Sequence, residues 1–201
     1  MKTDTKSLEK ALPYILLVAG IIGLAASYII LDDTFKLAAN PAYHPSCSLN
    51  PVISCGSVMQ SSEAHLFGFN NPYLGVAAFP ALITIAAVLL AGAKLKRWFW
   101  LGLNAGALLG TVFVHYLFVA SVYHIQALCP YCVAIWAVTI TVFWYVTLYN
   151  LESGNVVLHS RLHGAYGRVR RHHADILIAW LLVIAALILA HFWYFFGRSF
   201  S

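Results

Sequence analysis

Apolar residues run almost unbroken through five stretches of the chain, 13–31, 72–92, 98–121, 129–149 and 175–196, and polar residues collect between them. A helix rises about 1.5 Å per residue, so about 20 apolar residues cross roughly 30 Å of hydrocarbon. Each stretch reaches that length, and the pattern predicts five membrane-spanning helices. The first begins with basic residues and carries small residues at Ala25-Ala26-Ser27. Its apolar run exceeds a signal-peptide core, so it is read as a retained span. The fold class expected is all-α and integral to the membrane.

The polar stretches differ in character. Segment 32–71 is long and carries Pro41, Pro45 and Pro51, which break regular structure before Cys55. From Gly56 to Phe67 the residues Val58, Met59, Leu66 and Phe67 share one helical face, predicting a half-helix that lies on or dips into the bilayer as a lid over the span ends. The divisions expected are an N-terminus 1–12, a bundle 13–150 that includes the segment 32–71, a basic loop 151–174, and a fifth helix with C-terminus 175–201. No fused soluble domain is expected.

Composition agrees. Hydrophobic residues make up 61% and charged residues 9%, and the mean hydropathy is +0.79, whereas soluble domains are about a quarter charged. Charge then orients the spans, because short cytoplasmic loops are rich in Lys and Arg. Placing Lys2, Lys6, Lys10, Lys94, Lys96, Arg97, Arg161, Arg168, Arg170 and Arg171 on one side leaves only Lys36 and Arg198, of twelve basic residues, on the other. The N-terminus is therefore expected in the cytoplasm and the C-terminus outside, in a plasma (inner) membrane. Segments 32–71 and 122–128 fall on the outer face, where disulfides persist. The net charge of +5 is explained by loops facing anionic lipid headgroups. The basic residues are scattered and form no nucleic-acid motif, so no nucleic-acid partner is expected.

Within the third span, Gly102, Gly106 and Gly110 repeat at spacing four, a pattern that lets membrane helices pack closely. Asn104 and His115 of the same span are read as packing residues facing the bundle interior. His159, His163, His172 and His173 in the basic loop lack cysteine neighbours and metal-site spacing, so no metal is expected.

The chemistry rests on the only four cysteines, Cys47 and Cys55 in the outer segment and Cys129-Pro130-Tyr131-Cys132 at the start of the fourth span. A first thiol at a helix start lies near unpaired backbone N–H groups and the positive end of the helix dipole, which favours thiolate. Cys129 is therefore the better nucleophile. Cys132, one turn deeper, is closer to hydrocarbon, where thiolate is disfavoured. The asymmetry suits transfer from an aqueous thiol partner to a lipid-soluble acceptor through thiol–disulfide exchange. Cys47 and Cys55 lie on a proline-bearing loop and can close on each other and still swing. Zinc and two purely structural disulfides are the competing readings; the oxidising face argues against the first and the strain of a C-x-x-C bridge against the second.

Three segments together resemble the vitamin K epoxide reductase family, nearest its stand-alone bacterial members of the actinobacterial type: Cys47-Ser48-Leu49-Asn50-Pro51-Val52-Ile53-Ser54-Cys55-Gly56-Ser57-Val58-Met59, Phe67-Gly68-Phe69-Asn70-Asn71-Pro72-Tyr73-Leu74-Gly75, and Leu128-Cys129-Pro130-Tyr131-Cys132. The resemblance spans roughly residues 10–150. It implies a four-helix bundle around a quinone, with a fifth helix outside. It also implies a relay in which Cys47 takes electrons from a DsbA-like protein, Cys55 passes them to Cys129, and Cys132 faces the quinone. Asn71 matches a residue that hydrogen-bonds a quinone oxygen, and Ser61 a hydroxyl residue near the inner pair. The family's tyrosine four residues after the last cysteine is Trp136 here, a donor without an acceptor, so the second quinone contact is expected to differ. From the residues alone, Asn71 either donates to a quinone carbonyl or caps the helix that starts at Pro72. Of the aromatic and apolar residues near the span ends, Met59, Phe67 and Trp136 are taken to line the pocket.

The function expected is a thiol oxidoreductase that reoxidises an extracytoplasmic thioredoxin-fold (DsbA-like) partner, soluble or anchored, and delivers electrons to a membrane quinone, menaquinone or ubiquinone. A strongly oxidising partner near about −120 mV requires an acceptor of higher potential. Two alternatives stay open. One is vitamin K quinone or epoxide reduction with thiols as reductant. The other is a non-enzymatic membrane scaffold stapled by disulfides.

Overall fold

The computed structural model of the protein describes residues 5–156 and 163–198; the expectations placed on Lys2, His159 and Arg161 lie outside the described residues. The helices are α1 (Thr5–Ala39), α2 (Cys55–Met59), α3 (Pro72–Leu90), α4 (Arg97–Val119), α5 (Pro130–Glu152), α6 (His163–Arg171) and α7 (His173–Arg198). Five of them, α1, α3, α4, α5 and α7, are long and apolar enough to cross a membrane. The protein is an all-α, multi-pass membrane protein.

Helix α1 outruns its predicted span. Its 35 residues extend about 52 Å, well beyond the hydrocarbon. The added outer turns are held by ordinary helix chemistry: Lys36 pairs with Asp32 at 2.5 Å across one turn, and the Thr34 hydroxyl donates to the Ile30 carbonyl. Pro41, just past the last turn, stops it. Helices α3 and α5 each begin with proline, which needs no N–H there.

Helix α1 packs along α3 and α5, and α4 packs along α5. Helices α3 and α4 do not pack along each other, so the bundle is closed on three seams and parted on the fourth. The tightest seam joins α1 to α3. A Cβ added at Gly23 would overlap the Phe79 ring, and one at Gly20 would come 2.7 Å from Ile83. In a bilayer, close packing of this kind replaces the hydrophobic drive that lipid cannot supply.

That result corrects the expectation for the third span. Nothing lies within 4 Å of a Cβ built on Gly102 or Gly106; only Gly110 meets a neighbour, Thr139 at 3.3 Å. All three glycines line a cavity instead. Asn104 and His115 are bonded within the bundle: Asn104 accepts from Thr147 at 2.8 Å. His115 Nδ1 donates to the Thr111 carbonyl, and its Nε2 accepts from the indole of Trp180 at 3.1 Å. The Trp180 bond fastens α7 to the bundle, helped by Trp144, which donates to the His173 carbonyl. At the opposite end from the cysteines, the buried Asn150 amide donates to the Trp100 and Val146 carbonyls and accepts from Asn155.

The predicted half-helix is broken in two. Helix α2 stops at Met59, and Ser62–His65 forms a separate tight turn. Met59 is buried, whereas Leu66 and Phe67 are exposed. The four residues do not share a face because the chain changes direction at Gln60 and Ser61.

Candidate functional site

The outer loop is folded by its own polar groups. The Asn50 carboxamide accepts from the backbone N–H of Val52 and Ile53 at 3.0 and 2.7 Å, forming a side-chain turn. The loop then meets the segment before α5: Leu128 N–H donates to Val52 C=O at 2.7 Å, and Ser54 N–H donates to Leu128 C=O at 3.0 Å. These bonds place Ile53 beside Leu128 as a parallel bridge, and the next residues in each strand are a serine and Cys129. Ser54 then caps α2 by accepting from Ser57 N–H, which makes Cys55 the first residue of that helix.

The result is a compact group of sulfurs. Cys47 and Cys55 form a disulfide with Cα atoms 5.7 Å apart, and Cys129 and Cys132 are thiols. The Cys55 and Cys129 sulfurs are 3.3 Å apart. Cys47, Cys55 and Cys129 are buried together with Ile30 and Met59, and Cys132 packs against them. The bridge and the helix start fix the backbone around Cys55.

Cys129 occupies the position before the first turn of α5. Its thiol is held below the ordinary value, first by a hydrogen bond from the Cys132 thiol, then by the backbone N–H groups of Cys132 and Tyr131; burial and the charge of Asp33 oppose the shift. Asp33 accepts from the Tyr43 hydroxyl at 2.8 Å, and its other oxygen is buried without a partner. The phenol proton of Tyr43 is retained above its usual range, chiefly by that bond.

A cavity of about 450 Å³ begins beneath the sulfurs and extends between α3 and α4, within the range of small-molecule sites. Cys129, Cys132, Met59, Ser61, Asn71 and Trp136 all line it. Met59 and Trp136 are buried, and Trp136 packs edge-on against Phe118 at 5.7 Å. Among the described residues its indole N–H has no acceptor. Ser61 donates to the Val58 carbonyl at 2.8 Å. Phe67 is 55% exposed, packs on Phe69 and Phe113, and is not among the residues lining this cavity.

Asn71 does not cap α3 with its side chain. Its amide donates to the Glu63 carbonyl at 2.6 Å, its backbone N–H donates to Ala64 C=O, and its own oxygen is buried and unpaired. The residue therefore ties the lid to α3 while leaving hydrogen-bonding capacity at the cavity. Sequence reasoning missed Ser121, whose hydroxyl donates to Ala127 C=O and whose carbonyl accepts from Ala127 N–H. These bonds pin the segment that carries Cys129 to the end of α4. A π turn over Ala120–Ile125, ended by Gln126 at φ 56°, makes that contact, and no periodicity announces it. Among the described residues no group of His, Cys, Asp and Glu side chains forms a metal site.

A disulfide and two free thiols thus stand together at one end of an apolar cavity. No match to a curated protein was found. Residues 14–147 match the vitamin K epoxide reductase family, a stretch that is more than half of the chain and contains every cysteine. With five spanning helices and the sulfurs gathered at one end of the bundle, the chain belongs to the vitamin K epoxide reductase family.

Proposed function

We propose that the protein is a thiol–disulfide oxidoreductase that takes electrons from a reduced thioredoxin-fold partner outside the cytoplasm and delivers them to a membrane quinone. The observation that carries this reading is the 3.3 Å approach of Cys55 to Cys129, with Cys132 on the cavity wall.

The steps follow from the sulfurs. A partner dithiol reduces the Cys47–Cys55 disulfide by attack at Cys47 and leaves as its own disulfide. Cys55 thiolate attacks Cys129 of an inner disulfide and expels Cys132 thiolate. Cys47 then attacks Cys55, closing the outer disulfide and releasing Cys129 as thiolate. Outer pair oxidised and inner pair reduced is the state in this structure, charged with two electrons. A bound quinone supplies a two-electron, two-proton acceptor. Cys129 and Cys132 close to a disulfide as those electrons and protons leave. Burial excludes water from the Cys129 thiol, and the Trp136 indole N–H is suited to an acceptor whose oxygen gains negative charge.

The distribution of Lys and Arg supports a cytoplasmic N-terminus and cysteines at the outer face of the plasma membrane. Purified protein mixed with reduced partner and quinone is expected to consume thiols and form quinol in equal amounts. Absence of turnover, or turnover undiminished in Cys132→Ala, would contradict the proposal. The family's description favours a second reading, thiol-driven reduction of a vitamin K epoxide, which product analysis with an epoxide substrate separates from the first.

A further inference from the structure

Ser27, in the outer half of α1, is fully buried, and its hydroxyl has no hydrogen-bond partner. A hydroxyl on a membrane helix ordinarily donates to the carbonyl four residues back. Thr34, Thr84, Thr111 and Thr141 all do so here, at 2.7–2.9 Å. Ser27 does not. Its side chain is turned across the seam to α3, against Gly75, where a Cβ would overlap the hydroxyl oxygen. Glycine at 75 leaves room for a hydroxyl that nothing among the described residues satisfies.

The hydroxyl stands at a cavity with unfilled polar capacity. Ser27, Gly75, Asn71 and Trp136 line the same cavity as Cys132. Gly75 lies four residues beyond Asn71, about 6 Å along α3, and the Asn71 side-chain oxygen is likewise buried and unpaired. Leaving a buried hydroxyl unpaired is unfavourable, so Ser27 fits a cavity ligand that offers an acceptor oxygen.

We propose that Ser27 is a quinone-binding residue: its hydroxyl donates to a ring oxygen of a quinone in the cavity, and Gly75 is bare of a side chain to admit that hydroxyl. The proposal rests on the quinone reading above. Ser27 gives up no proton; its hydrogen bond tightens as the ring oxygen becomes negative, and the protons of the reaction come from the thiols.

The test compares wild type, Ser27→Ala and Gly75→Ala in lipid nanodiscs, using a short-tailed benzoquinone as probe. Ser27→Ala is expected to weaken equilibrium quinone binding and raise KM about 3- to 10-fold. Exchange between Cys55 and Cys129 is expected to be unchanged, and the melting temperature without quinone equal to wild type or higher, because an unpaired hydroxyl has been removed. Gly75→Ala, which displaces the hydroxyl, is expected to lose affinity similarly, and the double variant to lose no more than either alone. Wild-type affinity in Ser27→Ala overturns the proposal. So does an affinity loss that comes with a lower melting temperature without quinone, the mark of a packing residue or of one bonded through water. Failure of wild type to bind the quinone defeats the functional reading itself, along with the proposal.

Discussion

Removing Cys47 and Cys132 leaves one intramolecular disulfide available, between Cys55 and Cys129. These residues are 74 apart in sequence, yet their sulfurs stand 3.3 Å apart, so forming a bond of about 2.05 Å requires a closure of only about 1.3 Å. In the unfolded chain, joining them closes a loop whose entropy corresponds to about 4.5 kcal/mol at 25 °C. In the folded protein the Val52–Leu128 and Ser54–Leu128 backbone bonds have already brought the ends together. The disulfide of Cys47→Ala/Cys132→Ala is therefore expected to be about 2000-fold more stable, relative to the dithiol, in the folded protein than in denaturant. Titration against glutathione buffers, with free thiols counted by alkylation mass shift, measures both equilibria. Equal constants in the two states would refute the reasoning, as would a folded protein in which glutathione caps each cysteine in place of the internal bond.

Other outcomes follow from the same geometry. Alkylation of Cys129 is expected to be fast above a midpoint that lies below the ordinary thiol value of about 8.5 and to slow as pH falls through it; Cys132→Ala, which removes the largest cause of the shift, moves that midpoint upward. Met59→Ala, a change at a buried residue of the cavity wall, is expected to raise the quinone KM severalfold, whereas Phe67→Ala leaves it within about twofold; stopped-flow reduction assays compare them. Gly23→Ala is expected to destabilise the bundle by about 1–3 kcal/mol through overlap with Phe79. Gly106→Ala, at an open cavity wall, leaves the melting temperature unchanged but slows quinone reduction.

The identity of the close-packed seam shows where pattern reading succeeds and fails. Glycines at spacing four on α4 and glycines at 20 and 23 on α1 carry the same local signal, permission for a neighbour to approach. Which one a neighbour uses depends on how the helices are arranged around the bundle. Helix α3 comes to α1 and stands away from α4, so one set of glycines makes a seam and the other a cavity wall. The lid shows a related point: helical spacing gives Phe67 and Met59 one face, but the lid is not one helix, so Met59 stays in α2 while the Phe67 ring turns toward Phe69 and Phe113.

The sequence by itself determined the membrane class, the five spans and the chemistry, because spanning length, apolar composition and cysteine spacing are local properties that hold whatever the packing. The resemblance carried by the cysteine segments also named the family that residues 14–147 match. Only the tertiary structure decided that Cys55 reaches Cys129 by way of a backbone bridge to Leu128, that Asn71 braces the lid, and that the Ser27 hydroxyl is buried unpaired against Gly75. Each of these depends on atoms distant in the chain meeting at van der Waals or hydrogen-bonding distance. Such meetings are set by how whole helices seat against one another, and no short window of residues contains that information.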